Sequence, residues 1–148
     1  MPEDFAERLN ASPEGWVHAM DVRFVSATAD EVRAEWDVQP QHLQGYGLVH
    51  GGVHAGVVET LCSVGAHLYG LPLNLSVVGL ENHTSFLRAV RSGRLKATAR
   101  PLQRGRRTQV WETVVTDSDD RAVAIGRVRL LCLETDAALA GERLERPA

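Results

Sequence analysis

A glutamate in the middle of an apolar helical run is the first residue of this sequence that could do chemistry. From Val53 to Tyr69 the chain has helical period and is apolar almost all round, the signature of a buried helix. Glu59 lies within it. A buried carboxylate is costly unless it is paired or put to use. Gly52, Gly56, Glu59 and Ser63 follow i, i+4, i+7, i+11 spacing and form one small or polar stripe. Neither residue four positions away, Ala55 or Ser63, is expected to pair with Glu59. The plain alternative is a Glu59 that faces solvent or pairs structurally with an arginine.

Just upstream stands His50-Gly51-Gly52. Two glycines at a helix entry leave backbone N–H groups uncovered, at the positive end of the helix dipole. Such amides suit an anion or a polarised carbonyl oxygen, where one lost donor typically costs about 3 kcal/mol of transition-state stabilisation. An ordinary turn before a helix would look the same. Gly51 and Glu59 are eight residues apart, about 12 Å along a helix axis. A Glu side chain spans only about 4 Å and leans toward the N-terminus, so the two cannot meet at one reacting carbon. Either they are unrelated, or the helix start of one subunit meets Glu59 of another.

The elements that must position these groups follow from pattern. The first dozen residues suit a short helix, with Phe5 and Leu9 at i,i+4. Val17–Val25 and Val32–Trp36 alternate like strands about an Ala29-Asp30 turn. Residues 38–52 read as loop, with Pro40 and four glycines. Gly70 and Pro72 stop the long helix. Strand-like runs follow at about 75–87, 94–103, 108–117 and 122–133. Their joints, Arg91-Ser92-Gly93, Arg104-Gly105-Arg106 and Asp117–Asp120, have hairpin chemistry. The expectation is an α+β fold: one curved antiparallel sheet wrapped around one long central helix. Residues 1–148 read as one domain, with 1–14 a helix or arm and 135–148 a loose tail.

Composition narrows the function classes. The 148 residues are 44% hydrophobic and 24% charged, enough for a single core without disulfide staples. A net charge of −3 gives no drive toward nucleic acid or anionic membrane. Cys62 and Cys132 are distant from each other in the sequence and in apolar surroundings, which fits a reducing compartment. No signal-peptide core or membrane-spanning run is expected, so the sequence reads as cytoplasmic. His50 and His54 have metal-pair spacing but no accompanying carboxylate or CxxC, so no metal is expected. Ser63 lacks a GxSxG elbow. Cys62, Trp36, Trp111, Leu61 and Val64 read as core.

The segment Gln44-Gly45-Tyr46-Gly47-Leu48-Val49-His50-Gly51-Gly52, with Glu59 and Ser63 behind it, resembles the hotdog-fold acyl-CoA thioesterases. The likeness is to the branch holding the 4-hydroxybenzoyl-CoA thioesterases of the Arthrobacter type and the phenylacetate-pathway enzymes. Nearest within it are the 1,4-dihydroxy-2-naphthoyl-CoA hydrolases and their siderophore-pathway proofreading relatives. Val78-Gly79-Leu80-Glu81 and Gly105-Arg106-Arg107-Thr108-Gln109-Val110-Trp111 are also similar to that group, and the resemblance spans about residues 15–134. It implies hydrolysis of an acyl-CoA, of aromatic type, to acid and coenzyme A, with no cofactor besides the coenzyme A of the substrate. Glu59 would be the catalytic carboxylate and the Gly51 amide would polarise the thioester carbonyl. His50 and Gln44 would orient the thioester, and Ser63 would position water or Glu59. Gly52, Gly79, Phe86, Arg88, Gly105, Arg106, Arg107 and Thr108 would bind substrate. The resemblance further implies a homodimer that completes each site across its interface, and a homotetramer of two dimers. One departure is Phe86, where the dihydroxynaphthoyl relatives carry a His; it bears on the acyl specificity.

Between Glu81 and Glu112 there is no acid, while Arg88, Arg91, Arg94, Lys96, Arg100, Arg104, Arg106 and Arg107 all fall there, half of the chain's 16 Lys and Arg. A cationic rim for the phosphates of coenzyme A explains this. A solvated face of basic strands explains it too. Two other functions fit the same fold: a dehydratase or hydratase of acyl thioesters, and a non-catalytic acyl-CoA-binding domain. Undiminished hydrolysis after loss of Glu59 would favour either over a hydrolase.

Overall fold

The computed structural model describes residues 1–12 and 14–143. In chain order come α1 (Ala6–Asn10), α2 (Gly15–Ala19), β1 (Arg23–Ala27), β2 (Val32–Asp37), a 3-10 turn (Pro40–His42) and the long helix α3 (Gly51–Gly70). A second 3-10 turn (Leu71–Leu73) leads to β3 (Leu75–Phe86), β4 (Arg94–Arg104), β5 (Thr108–Thr116) and β6 (Ala122–Glu134). The tail expected from 135 holds a two-residue hairpin, β7 (Ala138–Leu139) with β8 (Glu142–Arg143); 144–148 lie outside the described residues. The main sheet has six strands in the order β1-β2-β4-β5-β6-β3, every pair antiparallel. This is the sheet around one helix that the pattern predicts.

The core forms where α3 crosses the sheet. Along β5 the alternation is strict: Gln109, Trp111, Thr113 and Val115 point inward and are buried. From the helix, Val57, Val58, Leu61, Cys62 and Ala66 are wholly buried. Each buried Val or Leu contributes about 2 kcal/mol, so α3 is fixed by packing rather than by intrinsic propensity.

Two expectations are corrected. Arg91-Ser92-Gly93 does not close a hairpin. β3 pairs with β6, and β4 pairs with β2 and β5, so residues 87–93 carry the chain across the sheet. The pairing of β3 with β6 leaves β3 at one edge of the sheet. The second concerns Trp16–Met20, whose alternation reads as strand. Gly15 turns in with φ +84°, and the Met20 N–H donates to the Trp16 carbonyl at 2.9 Å, closing a helical turn. The Trp16 indole then lies on α3 at Gly56, where a Cβ would stand 2.4 Å from Cζ2. That tertiary contact overrides the local period.

Buried polar groups are satisfied with few exceptions. His42 is wholly buried, yet Nδ1 accepts the Gln39 N–H at 2.9 Å and Nε2 donates to the Met20 carbonyl at 2.7 Å. Cys62 contacts the Thr113 hydroxyl at 3.2 Å, and burial pushes its thiol up to about 12. It is a packing residue and not a thiolate nucleophile, as its apolar surroundings predict.

Candidate active site

Glu59 is half-buried on α3, on the side that faces β3. Its carboxylate is held from two elements. The Asn82 side-chain amide on β3 donates to Glu59 Oε2 at 3.0 Å and to the Ala55 carbonyl at 3.0 Å. The Ser63 hydroxyl donates to Oε1 at 3.5 Å, a long contact. So Ser63 does partner Glu59, contrary to the expectation that no residue four positions away pairs with it; its hydroxyl serves as donor where an ion pair is impossible. Gly79 explains itself here: a Cβ on it would stand 2.4 Å from Glu59 Oε1. Gly79 makes room for the carboxylate, a role other than the expected substrate contact. Asn82 is the site residue that the sequence reading misses. It lies 23 positions from Glu59, and a polar residue on an exposed strand carries no signal of its own.

The start of α3 is a second constellation. His50 caps the helix, its Nδ1 accepting the Gly52 N–H at 2.8 Å. That bond occupies the Gly52 amide in this structure. It also fixes the imidazole tautomer, leaving the proton on an exposed Nε2. The Gly51 N–H has no acceptor among the described residues, as expected at the first helical position. The Phe86 ring covers the Gly51 Cα, where a Cβ would lie 2.7 Å from Cζ. Gln44 turns its Oε1 onto the Tyr46 N–H, which leaves its NH2 end free. Arg91 donates to the Tyr46 carbonyl at 2.8 Å and holds this loop. Together Gln44, Leu48, Gly51, His54, Phe86 and Arg88 line a cleft of about 290 Å³.

The basic stretch resolves into two groups. Arg94 binds Asp37, Lys96 binds Asp120, Arg100 binds Glu31 and Arg104 binds Asp30. Acids from other parts of the chain thus neutralise these four, and Arg104 also lies 4.6 Å over the Tyr69 ring. Arg88, Arg106 and Arg107 make no side-chain hydrogen bond or ion pair among the described residues. Gly105 donates its N–H to the Thr108 carbonyl at 2.9 Å and turns the β4–β5 hairpin; Gly105 and Thr108 are therefore turn residues that present Arg106 and Arg107. Arg106 lines a second cleft, of about 420 Å³, with Tyr69, Leu73, Arg104 and Glu134.

These groups lie along one unbroken helix of 20 residues, about 30 Å long. The amide donor and Arg88 are at its start, Glu59 near its middle, and Arg106 beside its end. One chain therefore does not bring Gly51 and Glu59, or Arg88 and Arg106, to one reacting group. No cluster of metal-ligating side chains occurs among the described residues, and no described helix is long and apolar enough to cross a membrane.

Comparison with known proteins identifies the family. Residues 46–124 match the thioesterase superfamily. The 1,4-dihydroxy-2-naphthoyl-CoA hydrolase of Escherichia coli K12 is 34% identical over 120-odd residues, spanning 82% of this chain and 90% of that one. The proofreading thioesterase EntH of Klebsiella pneumoniae is 37% identical, over 76% and 82%. Among solved structures, thioesterase HI1161 of Haemophilus influenzae superposes with TM-score 0.81 at 29% identity, covering 87% of this chain and 90% of that one. The chain belongs to the thioesterase superfamily and has the hotdog fold. It is a thioester hydrolase.

Proposed function

We propose that the protein hydrolyses acyl-CoA thioesters, aromatic acyl groups foremost, in sites that each need two copies of the chain. The observation that carries this is the separation on α3: an unpartnered Gly51 N–H at its start, and a carboxylate held by Asn82 and Ser63 eight residues on. β3 offers the means of assembly. It is an edge strand of 12 residues with no strand partner on its outer side among the described residues, and Leu80 and Phe86 on it are exposed. An antiparallel pairing of two β3 edges sets the start of one α3 against the middle of the other.

In that arrangement the Gly51 N–H of one copy polarises the thioester carbonyl, and His50 Nε2–H and the Gln44 NH2 group orient it. Glu59 of the other copy faces the carbonyl carbon. Two courses are open to the carboxylate. It draws a proton from water as the water adds, or it adds itself and the resulting anhydride is hydrolysed. Either way the C–S bond breaks and coenzyme A leaves. Oxygen-18 incorporated into Glu59 during a single turnover in labelled water marks the second course. Arg88 of one copy and Arg106 and Arg107 of the other are left to receive phosphates. Hydrolysis consumes only water, so the reading assigns no cofactor. The aromatic preference rests on the Escherichia coli relative's named substrate and on Phe86 beside Gly51. The tetramer of two dimers rests on the resemblance to this branch. The free thiols of Cys62 and Cys132 support a cytoplasmic location.

Subunit mixing tests the shared site. Glu59→Gln abolishes one half. Gly51→Pro with Phe86→Ala abolishes the other, since proline is accepted at the first helical position but carries no N–H. Each variant alone is expected to be inactive. Unfolded and refolded together in equal amounts, they should recover about a quarter of wild-type activity, because half of the dimers are mixed and each has one intact site. No recovery would overturn the two-chain site.

A further inference from the structure

We infer that His54 is a substrate-binding residue that hydrogen-bonds the secondary amide next to the thioester. The inference rests on the proposed acyl-CoA reading of the cleft at the start of α3.

His54 is 3% exposed, and its Nδ1 has no hydrogen-bond partner among the described residues. The other buried histidine, His42, has both ring nitrogens satisfied, so the fold can satisfy a histidine when the role is structural. A buried polar atom without a partner is uncommon in a native protein and costs stability. Leucine or methionine would fill the same space without that cost. A metal role fails, because the described residues hold no further ligands around it and His50 uses Nδ1 to cap the helix.

The position of His54 points to its ligand. It lines the same cleft as Gly51 and Arg88. In an acyl-CoA, the stretch between the thioester carbonyl and the phosphates is an arm of methylenes and two secondary amides. Leu48, Leu87 and the Phe86 ring, whose centroid is 6.2 Å from that of His54, suit the methylenes. Among the lining side chains, His54 and Gln44 each carry both a donor and an acceptor, while Arg88 only donates. A neutral imidazole has one N–H donor and one bare nitrogen, so it can either donate to the C=O of an amide or accept from its N–H. Burial pushes its pKa down to about 4, so the neutral form is present at physiological pH. His54 is three residues beyond Gly51, one helical turn, and two methylenes separate the thioester sulfur from the first amide. Which end of the amide it meets is set by the ring's tautomer and its rotation about Cβ–Cγ.

The test compares two small thioesters of one acyl group: S-benzoyl-N-acetylcysteamine, which keeps the first amide, and S-butyl thiobenzoate, which has none. The readout is the ratio of their kcat/KM values. His54→Leu should lower the preference for the amide-bearing substrate about tenfold, and His54→Asn, which retains a donor and an acceptor, should restore part of it. Should His54→Leu fail to fold, His54→Ala gives the same comparison. An unchanged ratio, whether both substrates suffer equally or neither does, overturns the inference while leaving the hydrolase reading intact. A wild-type protein that cleaves none of benzoyl-, dihydroxynaphthoyl-, phenylacetyl- and medium-chain acyl-CoA overturns the acyl-CoA reading, and this inference with it.

Discussion

The start of α3 and its middle meet their polar groups in opposite ways. At the start, donors stand without acceptors among the described residues: the Gly51 N–H, the His50 Nε2–H, the NH2 end of Gln44 and the Arg88 guanidinium. In the middle, an acceptor already has its donors, since Asn82 and Ser63 both point at Glu59. Donors held without an acceptor are suited to negative charge that develops only during a reaction. A carboxylate fixed from two elements is a group kept in one geometry for use. On the proposed function, the contrast separates a region that receives charge from one that delivers it.

Several substitutions press on this contrast. The largest effect is expected from Glu59→Gln, which keeps the shape and removes the charge. Turnover should fall on the order of a thousandfold, with KM for benzoyl-CoA nearly constant and the melting temperature no lower. Wild-type turnover in this variant would remove the middle of α3 from the chemistry. Next comes Gly79→Ala. Its Cβ would arrive 2.4 Å from Glu59 Oε1, and a displaced carboxylate should cost about a hundredfold in kcat. Asn82→Ala deletes one donor without crowding, so a loss of about tenfold is expected, and the order Gly79→Ala below Asn82→Ala is the measurement that separates displacement from lost hydrogen bonding. Smaller still, Arg106→Ala with Arg107→Ala should raise KM about tenfold for benzoyl-CoA and leave it unchanged for S-benzoyl-pantetheine, which has no phosphate. Equal effects on both would remove the phosphate role.

The last effect is on stability alone. His54 is lowered from 6.5 to about 4 by burial, so on acidification the unfolded chain takes up this proton before the folded chain does. Stability is therefore full above pH 6.5 and declines toward pH 4, by about 3 kcal/mol at most. Urea midpoints at pH 7 and pH 4.5 should differ less in His54→Leu than in the wild type. A pH dependence that His54→Leu leaves unaltered would assign the acid sensitivity to other groups.

How much of this was legible in the sequence differs by element. β3 to β6 show in period-2 alternation bounded by turn residues, and each lies within a residue or two of its expected ends. α3 shows because its apolar character is continuous and Gly70 and Pro72 follow. What failed is non-local. α2 alternates like a strand, and only the seat of Trp16 on Gly56 makes it helical. The link between β3 and β4 resembles a hairpin, because composition reports a turn and not which strand lies next door. The same holds within the site. Glu59 and Gly51 stand out through residue type against background, as does their separation. Asn82 meets Glu59 only across the fold, and the acids that neutralise Arg94, Arg100 and Arg104 come from the β1–β2 region, far away in sequence. The three free arginines become distinguishable from the paired ones only once the sheet is assembled.

Trp16, seated on Gly56, makes the protein its own optical probe. Of the three indoles, Trp36 and Trp111 are sealed at 2% and 0% exposure, while Trp16 is 39% exposed and one helical turn from Glu59. Collisional quenching by acrylamide therefore samples Trp16 almost alone. A ligand that settles along this face of α3, or a second copy that covers it, changes the emission of one residue whose position is known. Occupancy of the face can thus be followed in real time without a label, and in variants that no longer turn over.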